Sequence, residues 1–198
     1  VAGRPILERI VLHLVGYGIH HIYLSVNYLG DVIRNHFGDG SVFGCSINYL
    51  TEDKPLHTGG ALSLLPERPE HPLLVMNGDL VTQVDVAAML DFHTGGGYRL
   101  TVGCDEYTHT VPFGCLEVQD GRVLAIEEKP VISRSVNAGI YVLSPDILGR
   151  VPRNQAFPIT ALIEQALALG DAVGAFRIAG DWIDVGRHDQ LTQARGER

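Results

Sequence analysis

Residues 73–80 read LLVMNGDL, an apolar run that ends in a turn carrying a carboxylate. Leu, Val and Met follow one another without polar alternation, which is typical of a central strand buried on both faces of a helix-covered sheet. Asn77-Gly78 ends the strand and Asp79 follows. Ligands of open α/β sheets bind beyond the carboxyl ends of the strands, so Asp79 is a candidate site residue. The alternative is a turn aspartate that only precedes the helix predicted from about Val84.

The composition limits the classes of protein to consider. With 198 residues, 45% of them hydrophobic, the chain can bury a full core, and we expect one domain over residues 1–198. Its apolar runs are shorter than the ~20 residues of a membrane helix, and no signal-peptide pattern opens the chain, so we expect a cytoplasmic protein with no membrane partner. The net charge of −8 argues against nucleic-acid binding.

Cysteine and histidine spacing gives no metal motif. Cys45, Cys104 and Cys115 show no CxxC spacing, so neither a disulfide framework nor a zinc site is indicated. The nine histidines are scattered without an HExxH pattern. We expect reduced core cysteines and structural or surface imidazoles.

Hydrophobic periodicity predicts an α/β chain with a mostly parallel first half and a mixed second half that completes the same sheet. Helices are predicted at about residues 6–15, 31–37, 60–65, 84–93 and 159–169, and after Gly186. Strands are predicted at residues 22–26, 46–50, 73–76, 100–104, 114–118, 123–127, 136–143 and 172–178. Asp120-Gly121, between two of these strands, is a strong hairpin signal.

A succession of short motifs covers almost the whole chain: GRPILE, GDGSVFG, TGGAL, VMNGDL, VPFG, IEEKP, VNAGIYVLSP and DWIDVG. In order and spacing it resembles the sugar-1-phosphate nucleotidyltransferases. The similarity is closest to bacterial members in which the domain often follows CBS domains, among them guanylyltransferases of hexose and amino-sugar 1-phosphates. The resemblance implies a Rossmann-like, glycosyltransferase-A-type sheet, mixed and mostly parallel, flanked by helices.

The resemblance also implies a reaction and a metal. The partners would be a nucleoside triphosphate and a sugar 1-phosphate, joined to a nucleotide-sugar with release of pyrophosphate, in a possible homo-oligomer. The implied cofactor is Mg²⁺, which takes one or two carboxylates plus phosphate oxygens. Asp79 and Asp184 match the two acids of the family. Taken alone, Asp184 reads as a helix-start acid beside Trp182.

The sugar 1-phosphate pocket is implied by the later motifs. Lys129 matches the lysine that holds the sugar phosphate, a role for which the compact charge of an ammonium group is suited. Glu128 matches a sugar-hydroxyl contact, and Gly114 a glycine that lets the backbone approach the sugar. Asn137 and Gly139 would line the same pocket.

The base pocket departs from the family pattern. Glu52 stands where an acid could accept the N–H donors of guanine, which favours GTP, and Gly59 and Gly78 match further substrate contacts. His57, however, occupies a position where the family commonly has glycine. That exchange puts the base contact in question.

Three functions follow from these patterns. The first is nucleotidyl transfer, and the second is a catalytically silent homologue that binds nucleotide-sugar or regulates another subunit. The third is a glycosyltransferase that uses a nucleotide-sugar, although an Asp-x-Asp metal site would suit it better than Asn77-Gly78-Asp79. The family's Gly-rich triphosphate loop lies upstream of GRPILE, so we expect little turnover from residues 1–198 alone.

Overall fold

The computed structural model describes residues 3–185, so the helix predicted after Gly186 lies outside the described residues. No helix within residues 3–185 is long and apolar enough to cross a membrane. The helices are α1 Ile6–Gly16, α2 Gly30–Phe37, α3 His57–Gly60, α4 Val86–Gly95 and α5 Ile159–Ala168. The strands are β1 His21–Val26, β2 Ser46–Thr51, β3 Leu73–Met76, β4 Leu80–Thr82, β5 Leu100–Thr110, β6 Gly114–Gln119, β7 Arg122–Glu128, β8 Val131–Leu143, β9 Val173–Arg177 and β10 Trp182–Asp184.

The strands pair in a mixed pattern. The largest sheet has the order β3-β8-β5-β9, and β1-β2, β10-β4 and β6-β7 are two-stranded. The α/β class and the mixed sheet flanked by helices are confirmed. Among the described strands, only β1-β2 and β5-β9 are parallel pairs, so the sheet is less parallel than predicted. The difference comes mainly from β8, which runs antiparallel to both of its neighbours.

The strand buried on both faces is β8 rather than β3. Ile140 and Val142 of β8 belong to one core cluster, with α1, β1 and α4. Tyr141 and Leu143 face the other way, into a second cluster with α5. The prediction of double burial for Leu73–Met76 holds only in part: Leu74 and Met76 pack on the first cluster and Val75 on the second, but all four side chains are only half-buried.

An apolar cavity explains that half-burial. Within residues 3–185, β1 pairs only with β2 and β3 only with β8, so each strand keeps one unpaired edge. A cavity of about 950 Å³ is lined by residues of both strands, including Ile22, Leu24 and Leu73–Met76. Several polar residues described below also line this cavity.

A long two-stranded ribbon projects from the main sheet. Strand β5 runs to Thr110 and β8 begins at Val131, so both extend about six residues beyond their predicted ends. Past a kink, β6 and β7 continue the same antiparallel ladder to the Asp120-Gly121 turn. Two main-chain hydrogen bonds bridge the kink, from Val111 N to Pro130 O and from Lys129 N to Phe113 O. We call residues 104–137 the arm.

Candidate functional site

The turn after β3 carries the first predicted acid. Strand β4 starts directly after Asp79 and pairs with β10, which sets Asp184 opposite Leu80. The amide of Val185 donates a 3.1 Å hydrogen bond to the carbonyl of Asp79. The two predicted acids, 105 positions apart in sequence, are therefore brought to neighbouring strands. The β4-β10 pairing itself was missed, because three-residue strands are too short to show a hydrophobic period.

The carboxylates of Asp79 and Asp184 are close enough for their charges to interact. Burial raises the pKa of Asp79 above its usual range, and the charge of Asp184 raises it further. A divalent cation between them would offset both effects, since it favours the ionised forms. In phosphate-binding sites, Mg²⁺ usually takes one or two carboxylates from the protein, and phosphate oxygens and waters supply its other ligands. Within residues 3–185 there is no group of three or more His, Cys, Asp or Glu side chains placed to hold a metal.

Strand β8 approaches the same turn from the other side. The amide of Asn77 donates to the Gly139 carbonyl at 2.9 Å, and the Gly139 amide donates to Asn137 Oδ1 at 3.0 Å. Gly139 has φ +72°, and a Cβ there would lie 2.7 Å from Asn77 Nδ2. The predicted pocket residues Asn137 and Gly139 thus adjoin the Asp79 turn. We call Asn77, Asp79, Asn137, Gly139 and Asp184 the acid cluster.

Trp182 connects the two sides of the acid cluster. Its indole Nε1 donates a 2.9 Å hydrogen bond to the carbonyl of Ala138, between the two β8 residues of the cluster. Two residues further on along β10 is Asp184. Sequence reasoning named Trp182 only as a neighbour of Asp184. The presence of Trp182 in the DWIDVG motif, two residues before Asp184, was the one sequence feature that could have indicated that it links β10 to β8.

Glu52 is one of the polar residues that line the cavity. Its carboxylate accepts from Ser25 Oγ at 2.6 Å and from the Leu56 amide at 2.8 Å. These bonds fix the carboxylate and occupy two of its roughly four acceptor sites. Glu52, Gly78 and Asp79 all line the cavity, so the predicted base contact and one of the two predicted metal ligands border the same space.

The loop and short helix after Glu52 are shaped by close packing. His57 lines the cavity and has φ +61°, a left-handed conformation that is strained for a residue with a side chain. A Cβ on Gly59 would come within 2.8 Å of the Phe157 carbonyl oxygen. Gly59 therefore packs closely against the segment before α5. Its contact with substrate stays a prediction.

The remaining predicted sugar residues lie on the arm. Gly114 and Glu128 face each other across the ladder, next to the kink, and Lys129 in the kink is exposed with φ +49°. Six residues, Val131–Val136, separate this kink from Asn137, about 20 Å in an extended strand. The structure thus divides the predicted site into the acid cluster and a second group on the arm.

The fold is of the Rossmann-like, glycosyltransferase-A type, as its structural neighbours show. HddC from Yersinia pseudotuberculosis superposes with a TM-score of 0.75 at 24% identity, covering 98% of this chain and 86% of that one. A putative glucose-1-phosphate thymidylyltransferase from Bacillus anthracis gives a TM-score of 0.74 at 24% identity, over 97% and 81%. The family model for nucleotidyl transferase matches residues 1–197, and the chain belongs to that family.

Curated relatives are similar along the whole chain. A mannose-1-phosphate guanylyltransferase from Mycobacterium tuberculosis is 30% identical over 99% of this chain and 56% of its own length. A D-glycero-alpha-D-manno-heptose 1-phosphate guanylyltransferase from Aneurinibacillus thermoaerophilus is 28% identical over 100% of this chain and 86% of its own. The chain spans about half the length of most of the curated relatives it matches.

Proposed function

We propose that this chain is the core of a sugar-1-phosphate nucleotidyltransferase. A phosphate oxygen of the sugar 1-phosphate attacks the α-phosphorus of a nucleoside triphosphate, and the bond from that phosphorus to the β-phosphate bridging oxygen breaks. The products are a nucleotide-sugar and pyrophosphate. The relatives that are guanylyltransferases of mannose 1-phosphate and of a heptose 1-phosphate support GTP as the triphosphate. For the sugar 1-phosphate we propose a hexose or amino-hexose.

One observation carries the proposal: the pairing of β4 with β10 brings Asp184 next to the turn of Asp79, and Asp79 lines a cavity that Glu52 also lines. Phosphoryl transfer of this kind needs charge neutralisation and positioning more than a protein nucleophile. In this proposal the two aspartates hold Mg²⁺, which when bound would neutralise phosphate charge. Glu52, held by Ser25 and the Leu56 amide, accepts hydrogen bonds from the base.

In this proposal the arm binds the second substrate, the sugar 1-phosphate. Lys129 binds the phosphate of the sugar 1-phosphate, and Glu128 binds a sugar hydroxyl. Asn137 and Gly139 line the sugar side of the acid cluster.

A pyrophosphate-release assay tests the proposal. Residues 1–198 and, in parallel, the full reading frame that encodes them are mixed with Mg²⁺, four nucleoside triphosphates and a panel of hexose and amino-hexose 1-phosphates. We expect release from the full reading frame only when both substrates are present, with GTP preferred. Release from the triphosphate alone, or from no pair of substrates, would contradict nucleotidyl transfer.

A second candidate is a catalytically silent homologue that binds nucleotide-sugar. The specific observation in its favour is His57, which lines the cavity and has a left-handed backbone conformation. His57→Gly should stabilise the fold by about 1 kcal/mol by relieving the left-handed backbone. His57→Ala is the control, since it removes the imidazole and keeps the strain. If only His57→Gly gains turnover, or if the wild type binds GDP-sugars in calorimetry without releasing pyrophosphate, the silent homologue is the better description.

A further inference from the structure

Within residues 3–185, one side chain donates a hydrogen bond to the Glu52 carboxylate, and it is the hydroxyl of Ser25. Ser25 Oγ donates to Glu52 Oε1 at 2.6 Å, and the Leu56 amide donates to Oε2 at 2.8 Å. The main chain of Glu52 is held as well, because its amide donates to the Val26 carbonyl and its carbonyl accepts from Asn27 Nδ2, both at 2.9 Å. Glu52 is therefore fixed at its backbone and at both carboxylate oxygens.

Ser25 reaches Glu52 because β1 and β2 lie side by side and run in the same direction. Val26, the last residue of β1, lies opposite Thr51, the last residue of β2, so Ser25 is close to the residue that follows β2. Ser25 is exposed, while its neighbours Leu24 and Val26 are buried, and both Ser25 and Glu52 line the cavity. The packing of β1 on the core therefore does not depend on the Ser25 hydroxyl.

The two hydrogen bonds leave the carboxylate with one free acceptor site on each oxygen. A carboxylate has about four such sites, two on each oxygen, and Ser25 and the Leu56 amide occupy one each. What remains is a pair of acceptors side by side, which suits two parallel N–H donors on a planar group. Guanine presents such a pair, N1–H and the 2-amino group. Hypoxanthine has N1–H alone.

We propose that Ser25 is a positioning residue for base selection: by holding Oε1, it keeps both oxygens of Glu52 aligned with the two donors of guanine. This role rests on the proposed function, in which Glu52 accepts hydrogen bonds from the base. Without the hydroxyl, the carboxylate is still bound at Oε2 by the Leu56 amide, but Oε1 can turn away. One of the two hydrogen bonds to guanine then loses its alignment, and misaligned hydrogen bonds are much weaker.

The preference for GTP over ITP tests this role, since hypoxanthine differs from guanine only in lacking the 2-amino group. Calorimetry of the full reading frame with each triphosphate and Mg²⁺ gives the two dissociation constants, and pyrophosphate release gives kcat and KM. The wild type should bind GTP about 10- to 100-fold more tightly than ITP, the range of one hydrogen bond to a charged group. Ser25→Ala should lower this ratio about tenfold through weaker GTP binding. The KM for GTP should rise and kcat should not change, because the ribose separates the base from the reacting phosphorus.

Three further variants separate base selection from a structural role. Ser25→Thr keeps the hydroxyl and suits a strand, so it should retain the preference for GTP. Ser46→Ala is the matched control, because Ser46 is an exposed serine on β2 that is not among the residues lining the cavity. It should change neither the ratio nor KM. In Glu52→Gln the ratio should already be low, and adding Ser25→Ala should not lower it further if Ser25 acts through Glu52.

The same GTP-to-ITP ratio in Ser25→Ala and in the wild type would overturn the role of Ser25. An equal loss of affinity for both triphosphates, together with a lower melting temperature, would overturn it too, and so would a wild type that binds GTP and ITP equally. Failure of the proposed function is distinguishable from these results. A preference for GTP that depends on Ser25, with no pyrophosphate released from any pair of substrates, would contradict nucleotidyl transfer and still support the positioning role.

Discussion

The acid cluster and the arm both carry residues that the sequence assigns to one site, but they are held in place by different means. Asn77 and Gly139 are hydrogen bonded to each other between β3 and β8, and Trp182 joins β10 to the same place. Lys129 and Glu128 lie on a ribbon that is exposed along its whole length beyond the kink. The cluster is fixed by the core, whereas the position of the arm residues depends on what the arm contacts.

The largest expected effect is a loss of activity from the acid cluster. In Asp79→Asn, pyrophosphate release should fall about 10³-fold, because several kcal/mol of transition-state charge stabilisation depend on the metal that the carboxylate would hold. Thermal unfolding should occur at the same or a higher temperature, because a charge that is buried beside Asp184 has been removed. Asp85→Ala is the control. It removes the α4 cap, whose carboxylate accepts from the Ala88 amide, and should cost about 1 kcal/mol of stability with activity kept. Near-normal turnover in Asp79→Asn would refute the metal assignment.

The arm should show a smaller effect, confined to one substrate. Lys129→Ala should lower kcat/KM for the sugar 1-phosphate about 10- to 100-fold, the range of one lost hydrogen bond to a charged group. The KM for the triphosphate and the melting temperature should not change. Arg122→Ala, another cation on the arm, is the comparison. An equal loss of kcat/KM in both variants would mean that the overall positive charge of the arm, and not Lys129 in particular, contributes to binding the sugar 1-phosphate.

Two glycines allow the stability of the two regions to be compared directly. Gly139 and Gly121 have φ of +72° and +78°, but only Gly139 has atoms within 4 Å of an added Cβ. Gly121→Ala should cost about 1–2 kcal/mol for the left-handed backbone. Gly139→Ala should cost more, because Asn77 must also shift. Denaturant unfolding measures both, and equal losses would mean that the Asn77-Gly139 contact contributes nothing.

The smallest expected effect concerns the buried end of the β5-β8 ladder, opposite to the arm. His93 is hydrogen bonded to Thr101 Oγ1 and Ser144 Oγ at 2.9 and 3.1 Å. Burial lowers the pKa of His93, so the unfolded chain binds a proton that the native state does not. Stability should therefore fall as the pH drops below about 6.5, by at most ~1.4 kcal/mol per pH unit. Unfolding midpoints measured between neutral and mildly acidic pH test this, and His93→Gln should flatten the slope. A slope that is the same in His93→Gln would assign it to other groups.

The sequence predicted some structural elements better than others, depending on whether a short motif restricts the backbone conformation. The Asp120-Gly121 hairpin was predicted from two residues and both have positive φ, because few residue pairs tolerate that turn. The extension of β5 to Thr110 was not predicted, since residues 105–110 read DEYTHT, without an apolar alternation, and are exposed from Glu106 onward. Half-burial of β3 was missed because an apolar run gives no information about an unpaired strand edge. Within the site, the fold brings together four of the residues that the motifs named, Asp79, Asp184, Asn137 and Gly139, and their roles stay predictions. The spacing of the motifs along the chain could not predict that Glu128 and Lys129 lie on the arm.

The hydrogen bond from Trp182 to the Ala138 carbonyl has a practical consequence for spectroscopy. The chain contains a single tryptophan, so all of its indole fluorescence originates at the junction of β10 and β8. Emission wavelength and quenching will respond to any ligand that changes the water or the charge around this indole. A titration of the unlabelled wild type with Mg²⁺, nucleotide or sugar 1-phosphate therefore yields an optical signal from the acid cluster alone, without contributions from the arm.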